Sequence, residues 1–176
     1  LVILNKNSGK GYACRIGIKY AKGTYLVIQD ADLEYDPNNF YDMIESLDEN
    51  TKVVYGSRAM KGGVKTAPPG LRPYLSKFAN FLLTKFSNLM NGQNLTDAHT
   101  CYKMFETNLI KKIDLKENGF NFCPEINAKI SKKNIKIKEV PISYFGRSYE
   151  EGKKIKLRHA FGAIYSIIRY NFPYLR

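Results

Sequence analysis

Thr24-Tyr25-Leu26-Val27-Ile28-Gln29-Asp30-Ala31-Asp32-Leu33-Glu34 sets a β-rich apolar run directly against alternating carboxylates. Residues 24–29 read as a buried strand, because the run is short, β-branched and flanked by breakers. Residues 30–36 then read as an acidic loop. Alternate side chains of an extended segment point to one side, so the oxygens of Asp30, Asp32 and Glu34 are expected to converge. In α/β sheets ligands bind beyond the carboxyl ends of strands. Hard oxygen donors there suit Mg²⁺ or Mn²⁺, and such an ion commonly bridges to phosphates. A lone D-x-D also fits a solvated acidic turn; its place after an apolar strand and among cations favours the metal.

The same reading extends outward in both directions. Residues 1–4, Leu1-Val2-Ile3-Leu4, read as a strand, and a chain opening inside such a run is expected to lack an N-terminal portion. Gly9-Lys10-Gly11 is not a P-loop, since the earlier glycine and the following Ser/Thr are missing. A helix through about Tyr20 is expected, with Ala13, Ile16, Gly17, Tyr20 and Ala21 forming its stripe, and Gly23 ending it. Pro37 suits the first turn of a second helix carrying Phe40, Ile44 and Leu47. Residues 52–55 are another strand, stopped by Gly56. Strand–helix–strand order implies a mostly parallel sheet with right-handed crossovers.

Farther along, residues 60–72 form a Gly/Pro/Lys-rich loop and residues 74–90 a long amphipathic helix with Phe78, Leu82 and Phe86 on one side. Residues 101–105 suit a strand and 107–113 a short helix. Pro124 opens another helix. Residues 135–145 suit a strand pair with Pro141 at a bend or edge. Residues 156–170 suit a basic helix with Phe161, Ile164, Tyr165 and Ile168 inward. No repeat or linker interrupts residues 1–176, which are expected to form one domain.

Composition narrows the classes. The chain has 176 residues and a formal charge of +12. Residues 129–176 hold 12 basic and 3 acidic side chains, which implies an anionic partner. The basic clusters are residues 129–138 and 147–158. No apolar run reaches the roughly 18–20 residues that span a bilayer. Three scattered cysteines, Cys14, Cys101 and Cys123, argue for a reducing, cytoplasmic setting. The two histidines, His99 and His159, are too far apart in sequence for a zinc motif.

Cations follow the strands. Gly56-Ser57-Arg58 ends one, and Arg58 offers a planar fork of donors to phosphate. Arg72 and Ser76 lie four apart at a helix start, a favourable place for an anion. Arg147 and Lys153 sit on the glycine-bearing segment 146–153. A metal plus several cations fits a diphosphate leaving group.

Asn7-Ser8-Gly9-Lys10-Gly11, Asp30-Ala31-Asp32-Leu33-Glu34-Tyr35-Asp36-Pro37, Gly56-Ser57-Arg58, Thr96-Asp97 with Cys101-Tyr102-Lys103, Glu139-Val140-Pro141, and Gly146-Arg147 through Gly152-Lys153-Lys154 occur in that order. Together they resemble glycosyltransferase family 2, in its dolichyl-phosphate mannose synthase-like (polyprenyl-phosphate glycosyltransferase) branch. The resemblance implies a GT-A fold, a Rossmann-like sheet flanked by helices, here N-terminally truncated because the strand and acidic region that bind base and ribose are not seen. It implies that Asp30 and Asp32 are the D-x-D, with Asp32 and Glu34 as metal ligands and the Ala31 backbone beside the nucleotide sugar. Arg58, Arg147 and Lys153 match positions contacting the donor diphosphate. Arg72 and Ser76 match a pair contacting acceptor or donor phosphate. Asp97 matches the position of the catalytic base in related inverting enzymes, although a phosphate acceptor needs no deprotonation.

The expected function is metal-dependent, inverting transfer from a nucleotide-diphosphate sugar to a polyprenyl phosphate, by an enzyme peripheral on the cytoplasmic membrane face. A sugar hydroxyl of a polysaccharide or lipid-linked glycan is the alternative acceptor, with Asp97 then a true base. A non-catalytic basic module for anionic lipid or nucleic acid is the rival from another class. The clustered carboxylates disfavour nucleic acid, and no DNA- or RNA-reading motif is present.

Overall fold

Period-two alternation builds the centre of the molecule. A computed structural model describes residues 1–66, 71–147 and 158–172, apart from the side chains of Arg72, Arg158 and His159. Its strands are β1 (Tyr25–Ile28), β2 (Val53–Ser57), β3 (Lys65–Thr66), β4 (Lys103–Glu106), β5 (Lys138–Pro141) and β6 (Tyr144–Phe145). Its helices are α1 (Lys10–Tyr20), α2 (Asn39–Glu45), α3 (Leu71–Asn91), α4 (Thr107–Lys111), α5 (Phe122–Ser131) and α6 (Arg158–Asn171). Val53, Tyr55 and Phe105 project to one face of the main sheet, where they meet Ile18, Ile110, Phe122 and Ile126. Val54 and Met104 project to the other, against Tyr35, Met43, Tyr102 and Ile142.

The four-stranded sheet has the order β1-β4-β2-β5, and β3 pairs with β6 in a separate ribbon. β1, β2 and β5 run the same way, but β4 runs against them between β1 and β2. The sheet is therefore mixed. Hydrophobic periodicity marks residues 101–105 as a strand but carries no information on direction, so the inserted antiparallel strand was not foreseen. Pro141 ends β5 on the sheet edge, where its missing N–H costs no ladder bond.

Several expected faces are reversed. Residues 1–4 form no strand, and Leu1, Val2 and Ile3 are exposed: no described strand lies beside them to complete a ladder. On α1 the inward residues are Gly11, Cys14 and Ile18, while Ala13, Gly17 and Tyr20 face solvent. The glycine decides this. A Cβ on Gly11 would lie 2.4 Å from Glu117 O, and one on Gly9, whose φ is 95°, would lie 2.3 Å from Asn118 O. Only glycine lets the helix start approach residues 117–119 so closely. On α2, Met43 is the buried residue and Ile44 is exposed.

Helices α3 and α6 pack with α5; the apolar side of α3 faces solvent, and α6 is turned opposite to expectation. The inward side of α3 is polar. Thr84 Oγ1 accepts the Ala98 N–H at 3.2 Å, and Asn88 exchanges hydrogen bonds of 3.0 and 2.7 Å with the Leu95 backbone. Leu71, Tyr74, Leu75, Phe78, Phe81, Leu82 and Leu89 point outward, each 51 to 79 % exposed. On α6 the buried residues are Ala163, Ser166, Ile167 and Tyr170, and Phe161, Ile164 and Tyr165 face out.

Candidate active site

The carboxyl ends of β1, β2 and β5 and the start of β4 share one edge of the sheet. Four loops meet there. They bring together the acidic loop, Arg58, residues 97–102 and Arg147.

Asp30, Asp32 and Glu34 have each taken a cation, whereas Asp36 accepts the Asn38 backbone N–H at 2.9 Å. Lys10 Nζ donates to Asp30 Oδ1 at 2.6 Å and to Cys101 Sγ at 3.0 Å. The glycine-dependent approach of α1 aims Lys10 at this spot. Burial opposes the ammonium, but its pKa is raised, and the hydrogen-bonded Asp30 carboxylate is the charged partner that holds it; burial pushes the Cys101 thiol up to about 12, so it is a neutral acceptor. Arg147 Nη2 donates to Asp32 Oδ2 at 2.6 Å, and Nε stands 3.4 Å from Glu34 Oε1. Glu34 is held further by the Arg147 backbone N–H at 3.0 Å and the Tyr144 hydroxyl at 3.2 Å. Phe145 N–H donates to Glu34 O at 2.8 Å, fixing the loop to β6.

The expected three-way convergence is therefore corrected. Among the described residues no group of three His, Cys, Asp or Glu side chains stands where it could hold a metal. Asp32 and Glu34 do meet, on one guanidinium; Asp30 is turned away to Lys10, because a buried lysine in reach of a carboxylate is satisfied by it at short range. Two hard oxygen donors sharing one cation fit a divalent ion completed by phosphate oxygens. Ala31 lies exposed between the two aspartates.

Asp97 differs from what a catalytic base needs. It is fully buried. Arg58 Nε and Nη2 grip Oδ2 and Oδ1 at 2.6 and 2.9 Å, Arg58 N–H donates at 3.2 Å, and Asn80 Nδ2 donates at 3.0 Å. Burial alone would raise its pKa, but Arg58 and the other donors outweigh it and hold the carboxyl at about 2. Glu139 supports the turn from below, accepting from Thr96 N, Thr96 Oγ1 and Asp97 N at 2.6, 2.9 and 2.9 Å. Arg58 in turn lies 5.3 Å from the centre of the Tyr144 ring. Thus the fork expected to face phosphate has two of its nitrogens committed to Asp97, and 24 % of its side chain open to solvent.

Arg72 and Ser76 fall one turn apart on α3, followed by Asn80 one turn later, and Ser76 is exposed. Lys153 lies outside the described residues. Lys10, Asn80, Glu139 and Tyr144 were not singled out as site residues from sequence. Lys10 and Glu139 stand in the quoted motifs, which was the available signal; Asn80 and Tyr144 carried none. An open depression of about 750 Å³ at the far end of β1, lined by Lys22, Tyr25, Asp48 and Glu106 among others, contains none of these groups.

Residues 1–114 match the glycosyl transferase family 2 profile. The chain is 31% identical over 153 residues to a low-salt glycan biosynthesis hexosyltransferase, Agl6, of Haloferax volcanii, covering 85% of this chain and 36% of that protein. It is 28% identical over 167 residues to a dolichol-phosphate mannosyltransferase of Pyrococcus furiosus, covering 90% of this chain and 46% of the relative. The chain thus spans less than half the length of either relative. Glucosyl-3-phosphoglycerate synthase from Mycobacterium tuberculosis, solved with Mn²⁺, UDP-glucose and phosphoglyceric acid, superposes with a TM-score of 0.64 at 13% identity over 93% of this chain and 55% of that one. That likeness establishes the GT-A fold. A mixed sheet with an acidic loop and arginines at the ends of its strands, together with these matches, places the chain in glycosyl transferase family 2.

Proposed function

We propose that the chain is the catalytic part of a Mg²⁺- or Mn²⁺-dependent, inverting glycosyltransferase that moves a sugar from a nucleotide-diphosphate sugar to a polyprenyl phosphate. The observation that carries the choice of acceptor is the state of Asp97. A sugar hydroxyl must lose a proton as it attacks, and the base should have a pKa near the working pH. Asp97 is buried, bidentate on Arg58 and held at about 2. An acceptor phosphate is already ionised. Its oxygen attacks the anomeric carbon, the bond from that carbon to the diphosphate breaks, and the nucleoside diphosphate leaves with the electron pair. No proton has to be removed.

In this reading Asp97 is a positioning residue that aims Arg58 at phosphate. Asp32 and Glu34 hold the divalent ion, which supplies positive charge to the departing diphosphate. Arg147 and Lys153 serve the same leaving group, Arg72 and Ser76 the acceptor or donor phosphate. The Ala31 backbone lies beside the nucleotide sugar.

The outward face of α3 supports a lipid acceptor. Its apolar stripe runs for about 30 Å, and residues 71–96 contain Arg72, Lys77 and Lys85 but no carboxylate. α6 packs beside α3, and its Phe161 and Tyr165 are exposed. Among the described residues no helix is long and apolar enough to cross a membrane, so α3 and α6 would lie on the cytoplasmic leaflet as amphipathic elements.

Incubating a protein containing this chain with labelled nucleotide sugars, Mn²⁺ and polyprenyl phosphate in detergent tests the proposal. Label should enter the organic phase as an acid-labile lipid. Transfer to a glycan hydroxyl, with none to the phosphate, would refute it.

A further inference from the structure

The two cations of the acidic loop are held very differently. Lys10 is enclosed, with 19 % of its side chain exposed, and bridges Asp30 to Cys101 from a helix start locked by glycine contacts. Arg147 is more open, at 34 %, while its partners Asp32 and Glu34, at 22 and 13 %, are less exposed than Asp30, at 27 %. Glu34 does not depend on the guanidinium for its position. Its carboxylate also accepts from the Arg147 backbone N–H and from the Tyr144 hydroxyl, and its carbonyl from Phe145 N–H.

We propose that Arg147 is an exchangeable internal counter-cation. Its guanidinium holds Asp32 and Glu34 together in the ligand-free protein, a divalent cation replaces it there, and the released arginine becomes available to the donor diphosphate. This rests on the metal-dependent reading above. The charges favour the exchange: two carboxylates and one guanidinium leave a net negative charge, and a divalent ion cancels it. The cost is small, because a part-exposed ion pair is weak. The backbone bonds to Glu34 survive the exchange, so half of the ligand pair stays preformed. A single residue then has opposite effects on the two ligands: it competes with the metal and assists the diphosphate.

Mn²⁺ binding measured without nucleotide, from the free-ion electron paramagnetic resonance signal, separates these effects. Wild type, Arg147→Gln, Arg147→Lys and Asp32→Asn are compared, with folding checked by circular dichroism. Arg147→Gln should bind Mn²⁺ about three- to fivefold more tightly than wild type, the factor expected for removing a weak competing pair. Arg147→Lys should stay near wild type, and Asp32→Asn should lose binding. At saturating Mn²⁺, Arg147→Gln should bind nucleoside diphosphate more weakly. Equal or weaker Mn²⁺ binding by Arg147→Gln overturns the exchange and leaves metal dependence standing. No Mn²⁺ binding by wild type or Arg147→Gln, with or without nucleoside diphosphate, overturns both.

Discussion

Replacing Asp97 by asparagine removes one charge from the most buried ion pair of the site while keeping the side chain's shape. The wild-type carboxylate is fully buried and accepts from Arg58 Nε, Nη2 and N and from Asn80 Nδ2. An asparagine presents an NH₂ group to one of these donors and leaves the guanidinium uncompensated. Breaking a buried pair from one side costs about 3–5 kcal/mol. A chain of this length loses about 2–4 °C of melting temperature per kcal/mol, so the expected fall is about 6–20 °C. Asp32→Asn is the control, since its pair with Arg147 is part-exposed and therefore weak. The pH dependence has a definite sign. The Asp97 carboxyl is lowered from 3.8 to about 2 in the folded protein, so its contribution is full above about pH 4 and is lost as the pH falls toward 2. That shift corresponds to about 2–3 kcal/mol, consistent with the mutational figure. Thermal melts at several pH values, followed by circular dichroism, provide the assay. If Asp97→Asn melts within about 3 °C of wild type at pH 7, no lower than Asp32→Asn, then the pair does not position Arg58 and the argument for a phosphate acceptor loses its main support.

Three further outcomes are expected. Gly11→Ala should destabilise by about 1–3 kcal/mol, the usual range for overpacking, because its Cβ would meet the Glu117 carbonyl at 2.4 Å; urea unfolding measures it, and an unchanged midpoint contradicts the packing argument. Lys103 is fully buried and burial lowers its pKa from 10.5 to about 8, so Lys103→Met should be more stable than wild type at pH 7, by up to about 3 kcal/mol. Asn127 Nδ2 still satisfies the Ala98 carbonyl that Lys103 shares. The unfolded chain holds more protons between pH 8 and 10.5, so wild-type stability rises over that range and the advantage of methionine shrinks; melts at pH 7 and 10.5 that show a constant difference would contradict this. Finally, the outward stripe of α3 should bind anionic vesicles at low salt, and Phe78→Ser with Leu82→Ser should release the protein in flotation; equal flotation of the double variant would mean that α3 is not the contact.

The local chemistry was readable from residues alone. An apolar strand running into alternating carboxylates, arginines just past the strand ends, and the extents of α1, α3, α4 and α5 follow from periodicity and breakers, which act over a few residues; its expected burial does not, since β1 is an edge strand in which only Ile28 is buried. Arg147, expected from sequence at the donor diphosphate, lies against Asp32 of the acidic loop. What needed the tertiary structure was every choice between partners distant in sequence. The direction of β4, the pairing of Asp30 with Lys10 and the burial of Asp97 under Arg58 each depend on which loops share the sheet edge. The faces of α3 and α6 show the reason most clearly. Periodicity gives a helix an apolar side but not the direction in which it points: α3 turns inward the polar residues Asn80, Thr84 and Asn88, whose partners lie at residues 95–98. Buried polar groups must be paired. Satisfying three side chains and the backbone of one turn outweighed the helix's own periodicity and left its apolar side facing out.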